Sequence, residues 1–162
     1  MKWMVTVLAV VALVVAPTAS ADEPESTEAC DWVHVDEASA FLGGPATIAP
    51  IRTHLPELSC AYRASNEPLG PRSLESDVRF ADAFAWDAAT QFKTVASWPG
   101  ATEVDDVGLR AVCTYEPNVT PPSTTLTALL TGERLYRVTG SYVWPCETLK
   151  GFARLAIARI GR

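Results

Sequence analysis

The sequence has few of the residues on which enzyme active sites and nucleic-acid interfaces are built. Its 162 residues include two histidines, His34 and His54, and no Gly-x-Ser-x-Gly motif, which gives little support to a Ser-His-Asp hydrolase. Acidic residues (19) outnumber basic ones (13), and the net charge of −6 opposes contact with phosphate backbones. We therefore expect no nucleic acid among the partners, no cofactor and no enzymatic activity.

Metal-binding patterns are also scarce. The nearest two of the four cysteines are 30 residues apart, whereas a zinc site usually includes a close pair such as Cys-x-x-Cys. Asp31, His34 and Asp36 are neighbours in sequence, but charges beside a helix start are more often solvated than bound to a cation. We therefore expect no metal site.

The one long apolar run is too short to cross a bilayer. It covers residues 3–16, or 14 residues, where a spanning helix needs about 20. Lys2 precedes the run and an Ala-Ser-Ala pattern ending at Ala21 follows it, an arrangement typical of a secretory signal peptide. We therefore interpret residues 1–21 as a signal peptide that is removed after Ala21.

The rest of the chain fits one exported domain. Residues 22–29 are acidic and contain a proline, which predicts a disordered leader. Residues 30–162 have the length of a single domain with one core. We expect a secreted or cell-envelope protein with no membrane span after signal cleavage.

Four cysteines in an exported chain indicate disulfides more often than metal ligands or nucleophiles. Three pairings are open, because sequence alone does not fix connectivity. We favour the sequential one, Cys30 with Cys60 and Cys113 with Cys146, because it closes two loops of similar, moderate span. Each closure would stabilise the fold by about 3 kcal/mol on the chain-entropy model.

Apolar periodicity predicts an α+β domain with a mainly antiparallel sheet and packed helices. In chain order the predicted elements are a helix at 35–42, strands at 59–63 and 74–80, a helix at 83–97 capped by Asp82, strands at 109–116, 124–130 and 135–142, and a helix at 147–160. This is the order α-β-β-α-β-β-β-α. Gly132 can take the positive φ of a tight turn between the last two strands. In the strand before them, alternation predicts that Leu109 and Tyr115 face inward with Cys113.

Three short motifs resemble a known group of proteins: Ala29-Cys30-Asp31-Trp32 before the first helix, Phe41-Leu42-Gly43 at its end, and Ser59-Cys60-Ala61-Tyr62 in the first strand. They are similar to the opening of actinobacterial secreted and lipoprotein domains of unknown function, and Val107-Gly108-Leu109 is similar to a later stretch of that group. A more distant resemblance is to the extracellular sensor domain of PknH-type kinases. Both resemblances imply an exported domain, and the second implies a sensor domain.

Aromatic residues are the remaining candidates for a site. Trp86, Trp98, Tyr136, Tyr142 and Trp144 are many for one domain, and core packing is their first explanation. The alternative is a groove in which Trp98, Trp144 and Tyr142 contact an envelope lipid, a glycan or a protein.

Two hypotheses of function follow from this reading. The first is an exported, non-enzymatic binding or sensor-like protein of the envelope, in line with the disulfide frame. The second is a small secreted hydrolase that uses His34 or His54.

Overall fold

The computed structural model describes residues 29–51, 57–65, 72–80, 87–142 and 144–160. The predicted signal peptide, all of the predicted leader except Ala29, and His54 and Trp86 lie outside the described residues. The predictions for those residues therefore stay predictions.

In the described ranges, three α-helices and seven strands form an α+β domain, as the sequence predicts. A short 3-10 turn, Ala29–Asp31, precedes α1 (Val35–Leu42), β1 (Ala46–Ile51), β2 (Glu57–Ala64), β3 (Ser73–Arg79), α2 (Ala88–Ala96), β4 (Thr102–Val104), β5 (Arg110–Glu116), β6 (Ser123–Leu130), β7 (Arg134–Ser141) and α3 (Cys146–Ile157). The sheet order is β1-β2-β3-β7-β6-β5-β4, and every neighbouring pair is antiparallel. The predicted element order is confirmed, with β1 and β4 as additional strands.

The two additional strands occupy the two edges of the sheet. β1 contains Pro50, which argues against a central strand but is tolerated at an edge, because one side of an edge strand needs no ladder hydrogen bonds. β4 has three residues, too few to show an alternating pattern. Both strands are therefore recognised by their pairing with the next strand of the chain rather than by a pattern in their own sequence.

The helices cover both faces of the sheet. α1 and α3 pack on a first face, where Trp32, Tyr62, Tyr136 and Phe152 are among the largest fully buried side chains. α2 packs on the second face over β5, β6 and β7, through a smaller cluster that contains Ala88, Phe92, Val112 and Leu135. The main core therefore lies between the sheet and the pair α1 and α3.

Local signals fix most helix ends. α1 spans Val35–Leu42 as predicted and stops at Gly43, whose φ of 75° is left-handed. α2 begins at Ala88, later than predicted, and the side chain of Asp87 accepts a hydrogen bond from Thr90 N at 2.7 Å. Asp82, the predicted cap, lies outside the described residues.

Both disulfides have the predicted sequential pairing. Cys30–Cys60 ties the 3-10 turn to β2, and Cys113–Cys146 ties β5 to the first residue of α3. Each bond thus joins a strand to the entry of a helical segment. No cysteine is left free.

The domain consists of two halves, and each half contains one disulfide. Strands β1 to β3 form one antiparallel meander, β4 to β7 form another, and β3 pairs with β7 where the two halves meet. Each disulfide lies within one half, so no disulfide crosses the β3–β7 seam.

Polar contacts join the two sides of the seam on both faces. On the first face, Ser76 Oγ donates to Tyr136 Oη at 3.0 Å, and burial raises the pKa of Tyr136 well above its usual range. On the second face, Arg137 Nε lies 3.1 Å from both carboxylate oxygens of the buried Asp77. A buried carboxylate is tolerated when it is paired in this way.

A second contact joins the halves at the chain ends. The Arg159 guanidinium donates to both carboxylate oxygens of Glu37, at 2.6 and 2.7 Å, and also to Trp32 O at 2.8 Å. His34 N donates to Glu37 Oε2 at 2.9 Å. The hydrogen bond from Arg159 is the main reason that the pKa of Glu37 is lowered to about 2.

The Glu37–Arg159 pair predicts a specific pH dependence of stability. Because the pKa of Glu37 is lowered from 4.5 to about 2, the pair contributes fully above pH 4.5 and its contribution is lost as the pH falls toward 2. We expect Glu37→Gln to lower the free energy of unfolding at pH 7 by about 1 kcal/mol and to flatten its pH dependence between those values. Urea denaturation across this pH range measures both effects. Glu75→Gln, an exposed change on β3, is the control, and an equal effect of the two variants would contradict the role of the pair.

Because Asp77 is buried and paired with Arg137 at the seam, we expect its removal to lower stability more than the removal of Glu37 does. Asp77→Ala leaves the Arg137 guanidinium without its countercharge, and we expect it to destabilise the protein by about 3 kcal/mol. Glu75→Ala removes a carboxylate from the same strand and the same face, but an exposed one, and should change stability by less than about 0.5 kcal/mol. Chemical denaturation compares the two. Similar losses would show that the pairing of Asp77 is not what matters.

Candidate functional site

A shallow cleft of about 290 Å³ opens where the turn between β6 and β7 meets the end of α3. Its lining is mostly aliphatic, and we call it the aliphatic cleft; the lining residues are Gly108, Leu109, Leu130, Thr131, Arg134, Ile157 and Ile160. Leu109 is 61% exposed, a large exposed fraction for a leucine at the mouth of a cleft. The cleft therefore offers apolar surface to solvent.

Gly108 determines how the loop before β5 lies against β6. Its φ is +60°, and a Cβ at this position would be 2.6 Å from Leu129 O and 3.1 Å from Leu130 Cδ2. The close approach lets Leu109 N donate to Leu129 O at 2.8 Å. Only glycine combines this φ with this approach, and the result is that Leu109 is held at the cleft.

The end of α3 forms the opposite wall. Leu149, Phe152 and Ala156 bury one side of the helix against the sheet. Ile157 and Ile160, at and just beyond the end of the helix, pack against the edge of the same core and are half-buried in the cleft wall. Arg159 lies between them and is fixed by Glu37. The wall is therefore held in place by a residue from the other half of the domain.

Among the described residues of the lining, Arg134 is the one that is ionisable. It is the first residue of β7 and pairs with Leu130, so both side chains lie on the first face of the sheet. Its Nε donates to Thr131 O at 3.0 Å, across the turn. The cleft thus combines aliphatic walls with a single positive charge.

Glu133, the residue before Arg134, is directed to a different partner. Its φ is +55°, in the left-handed region, and its Oε2 accepts a hydrogen bond from Ala88 N at 3.2 Å. A carboxylate at a helix start is stabilised by the unpaired N–H groups there. Glu133 therefore caps α2 on the second face of the sheet. Gly132 next to it has φ of 71°, as the predicted hairpin turn requires.

The three aromatic residues predicted to contact a ligand do not line this cleft. Trp98 follows α2 and is 45% exposed, Tyr142 follows β7 and is 37% exposed, and Trp144 is buried with 7% exposure. Trp144 packs against Gly140, its Nε1 donates to Ser141 O at 2.7 Å, and the Arg72 guanidinium lies 5.9 Å from its ring. Ligand contact by these three residues stays a prediction.

His34 is exposed at the start of α1. The carboxylate that its backbone contacts, Glu37, is already bound to Arg159. In the described ranges no group of three or more His, Cys, Asp or Glu side chains could hold a metal ion. None of the helices in those ranges is both long enough and apolar enough to cross a membrane.

The aliphatic cleft was not predicted from the sequence, because apolar periodicity favours the core for several of its aliphatic residues. Alternation placed Leu109 and Tyr115 inward, and this is wrong: Leu109 lies just before β5, Tyr115 is 49% exposed, and β4 is too short to cover either position. The sequence predicts that the last helix continues to residue 160, but it ends at Ile157, so Ile160 lies beyond it. A leucine directly after a glycine, at the boundary of a strand, is the signal that could have marked the site.

Comparisons of the chain with models of protein families, with curated proteins and with solved structures find no match. The geometry of the aliphatic cleft therefore carries the functional argument.

Because Gly108 lies so close to Leu129, adding a single methyl group at Gly108 should lower the stability of the protein. We expect Gly108→Ala to destabilise the protein by about 2 to 3 kcal/mol, because it adds a clash with Leu129 O to the cost of a left-handed alanine. It should also speed amide hydrogen exchange at Leu109, whose hydrogen bond it breaks. Gly100→Ala is the matched control: φ there is +82°, with no atom within 4 Å of the added Cβ. If both variants lose the same stability, the close approach at Gly108 is not important.

Proposed function

We propose that the protein is an exported, non-enzymatic binding module whose aliphatic cleft receives an apolar part of its ligand. The observation that carries this proposal is the exposed Leu109 above a cleft of about 290 Å³ with walls of leucine and isoleucine. An apolar cavity of about 150 Å³ is enough to bind benzene. The aliphatic cleft has room for a larger group.

The lining favours a lipid-like ligand over the other candidates, a glycan or a protein. Glycan sites depend on several hydrogen-bonding groups, whereas here Thr131 and Arg134 are the polar side chains of the lining. Enzymes that use general acid and base catalysis need at least one titratable group near the operating pH, and an arginine stays charged throughout. The cleft therefore suits binding better than catalysis.

Export is part of the same proposal. Two disulfides are compatible with an oxidising compartment, and the signal-peptide pattern of residues 1–21 supports secretion. The resemblance to actinobacterial secreted domains supports export, and the more distant one to PknH-type sensor domains supports a sensing role in the envelope. His34, whose neighbouring carboxylate is bound to Arg159, gives the alternative of a secreted hydrolase no added support.

The neutral probe N-phenyl-1-naphthylamine tests the proposal, because its fluorescence rises in an apolar site. We expect saturable binding to the protein, and about tenfold weaker binding to Leu109→Ser, which removes an apolar wall. Val119→Ser is the matched control: Val119 is also an exposed aliphatic residue, 41% accessible, but it lies in the loop at the other end of β6, about 20 Å away. Equal binding by the two variants, or no saturable binding to the wild type, would overturn the proposal.

A further inference from the structure

We infer that the aliphatic cleft selects a single-chain fatty acid in its carboxylate form, with Arg134 as the residue that holds the carboxylate. The inference rests on the proposed function, that the cleft receives an apolar group. It adds that the ligand is negatively charged and has one alkyl chain.

The first support is the pairing of the arginines. Five described arginines have a carboxylate partner within 4.0 Å, namely Arg79, Arg110, Arg137, Arg154 and Arg159. Arg134 makes one hydrogen bond, from Nε to Thr131 O, and its Nη1 and Nη2 atoms have no hydrogen bond or ion pair with any residue of the described ranges. Arg63 also has no ion pair in the described ranges, but it is exposed and lies outside the cleft, whereas Arg134 is half-buried beside aliphatic side chains, where its Nη1 and Nη2 atoms can bind an anion.

The second support is that two acids near the cleft, Glu133 and Asp106, have other partners. Glu133 is adjacent to Arg134 in sequence, but its carboxylate caps α2 on the second face through Ala88 N. Asp106, two residues before Gly108, is paired with Arg154 at 3.0 Å. The positive charge of Arg134 is therefore not cancelled by either neighbour, and the local charge complements an anionic ligand.

The chemistry of the cleft fits a carboxylate attached to an alkyl chain. The guanidinium fork matches a carboxylate with two parallel hydrogen bonds. Leu109, Ile157 and Ile160 would contact the chain and exclude water, which strengthens the charge-assisted hydrogen bonds next to them. A volume of about 290 Å³ lies at the lower limit of small-molecule sites, so we assign one alkyl chain rather than the two of a phospholipid.

Matched ten-carbon probes test the inference at pH 8. Decanoate, decanol and decyltrimethylammonium carry the same chain with a negative, neutral or positive end, and their affinities follow from displacement of N-phenyl-1-naphthylamine. We expect the wild type to bind decanoate about tenfold more tightly than decanol, with the cation weakest. The preference for decanoate should decrease as salt concentration rises.

Variants assign the preference to Arg134. Arg134→Gln should bind decanoate and decanol equally, and Arg134→Lys, which keeps the charge without the fork, should keep part of the preference. Arg63→Gln, an exposed arginine on the second face of β2, should behave as the wild type. Circular dichroism of each variant checks that it is folded.

The outcomes separate the inference from the function on which it rests. Equal affinity of the wild type for decanoate and decanol, or a preference that survives in Arg134→Gln, would overturn the inference and leave an apolar binding site. If neither the alkyl probes nor N-phenyl-1-naphthylamine bind the wild type, the proposed function fails and the inference fails with it.

Discussion

At the centre of the sheet, β3 and β7 pair along six residues, from Leu74 opposite Gly140 to Arg79 opposite Leu135. This pairing joins two halves that no disulfide connects, since each of the two bridges stays within its own half. Ser76 and Tyr136 hold the seam on the buried face, and Asp77 and Arg137 hold it on the other. A disulfide in each half limits the disorder of its own unfolded segment, but the relative position of the halves depends on these non-covalent contacts.

The aliphatic cleft depends on the same arrangement. β7 begins at Arg134, and α3 follows β7, so the charged end and the isoleucine wall of the cleft belong to the C-terminal half. The end of α3 is held by Glu37, which belongs to α1 in the N-terminal half. The described lining residues all belong to the C-terminal half, and the Glu37–Arg159 pair helps to fix the end of α3, which carries Ile157 and Ile160, from the N-terminal half.

Sequence predicts the parts of this structure that are set by short-range chemistry. The left-handed stop at Gly43 and the turn at Gly132 follow from the freedom of glycine, and the sequential disulfides agree with the spacing of the cysteines. β1 and β4 could not be predicted in this way, since a proline and a length of three residues hide strands that exist through pairing at the sheet edges. The uncompensated charge of Arg134 could not be predicted for a similar reason. Its neighbour Glu133 binds Ala88 N instead, and Ala88 lies 45 residues away in the chain.

The central claim is that the ligand binds between the β6–β7 turn and the end of α3, and not at the aromatic residues beyond the other end of β7. A methyl NMR titration of the protein, labelled at leucine and isoleucine methyl groups, tests this claim directly with decanoate as the ligand. The account predicts saturable shifts at four residues of the cleft, Leu109, Leu130, Ile157 and Ile160, while Leu74, on β3 next to Gly140 and Trp144, stays unchanged. Shifts at Leu74 without shifts at Leu109 and Ile160 would place the ligand elsewhere and contradict it.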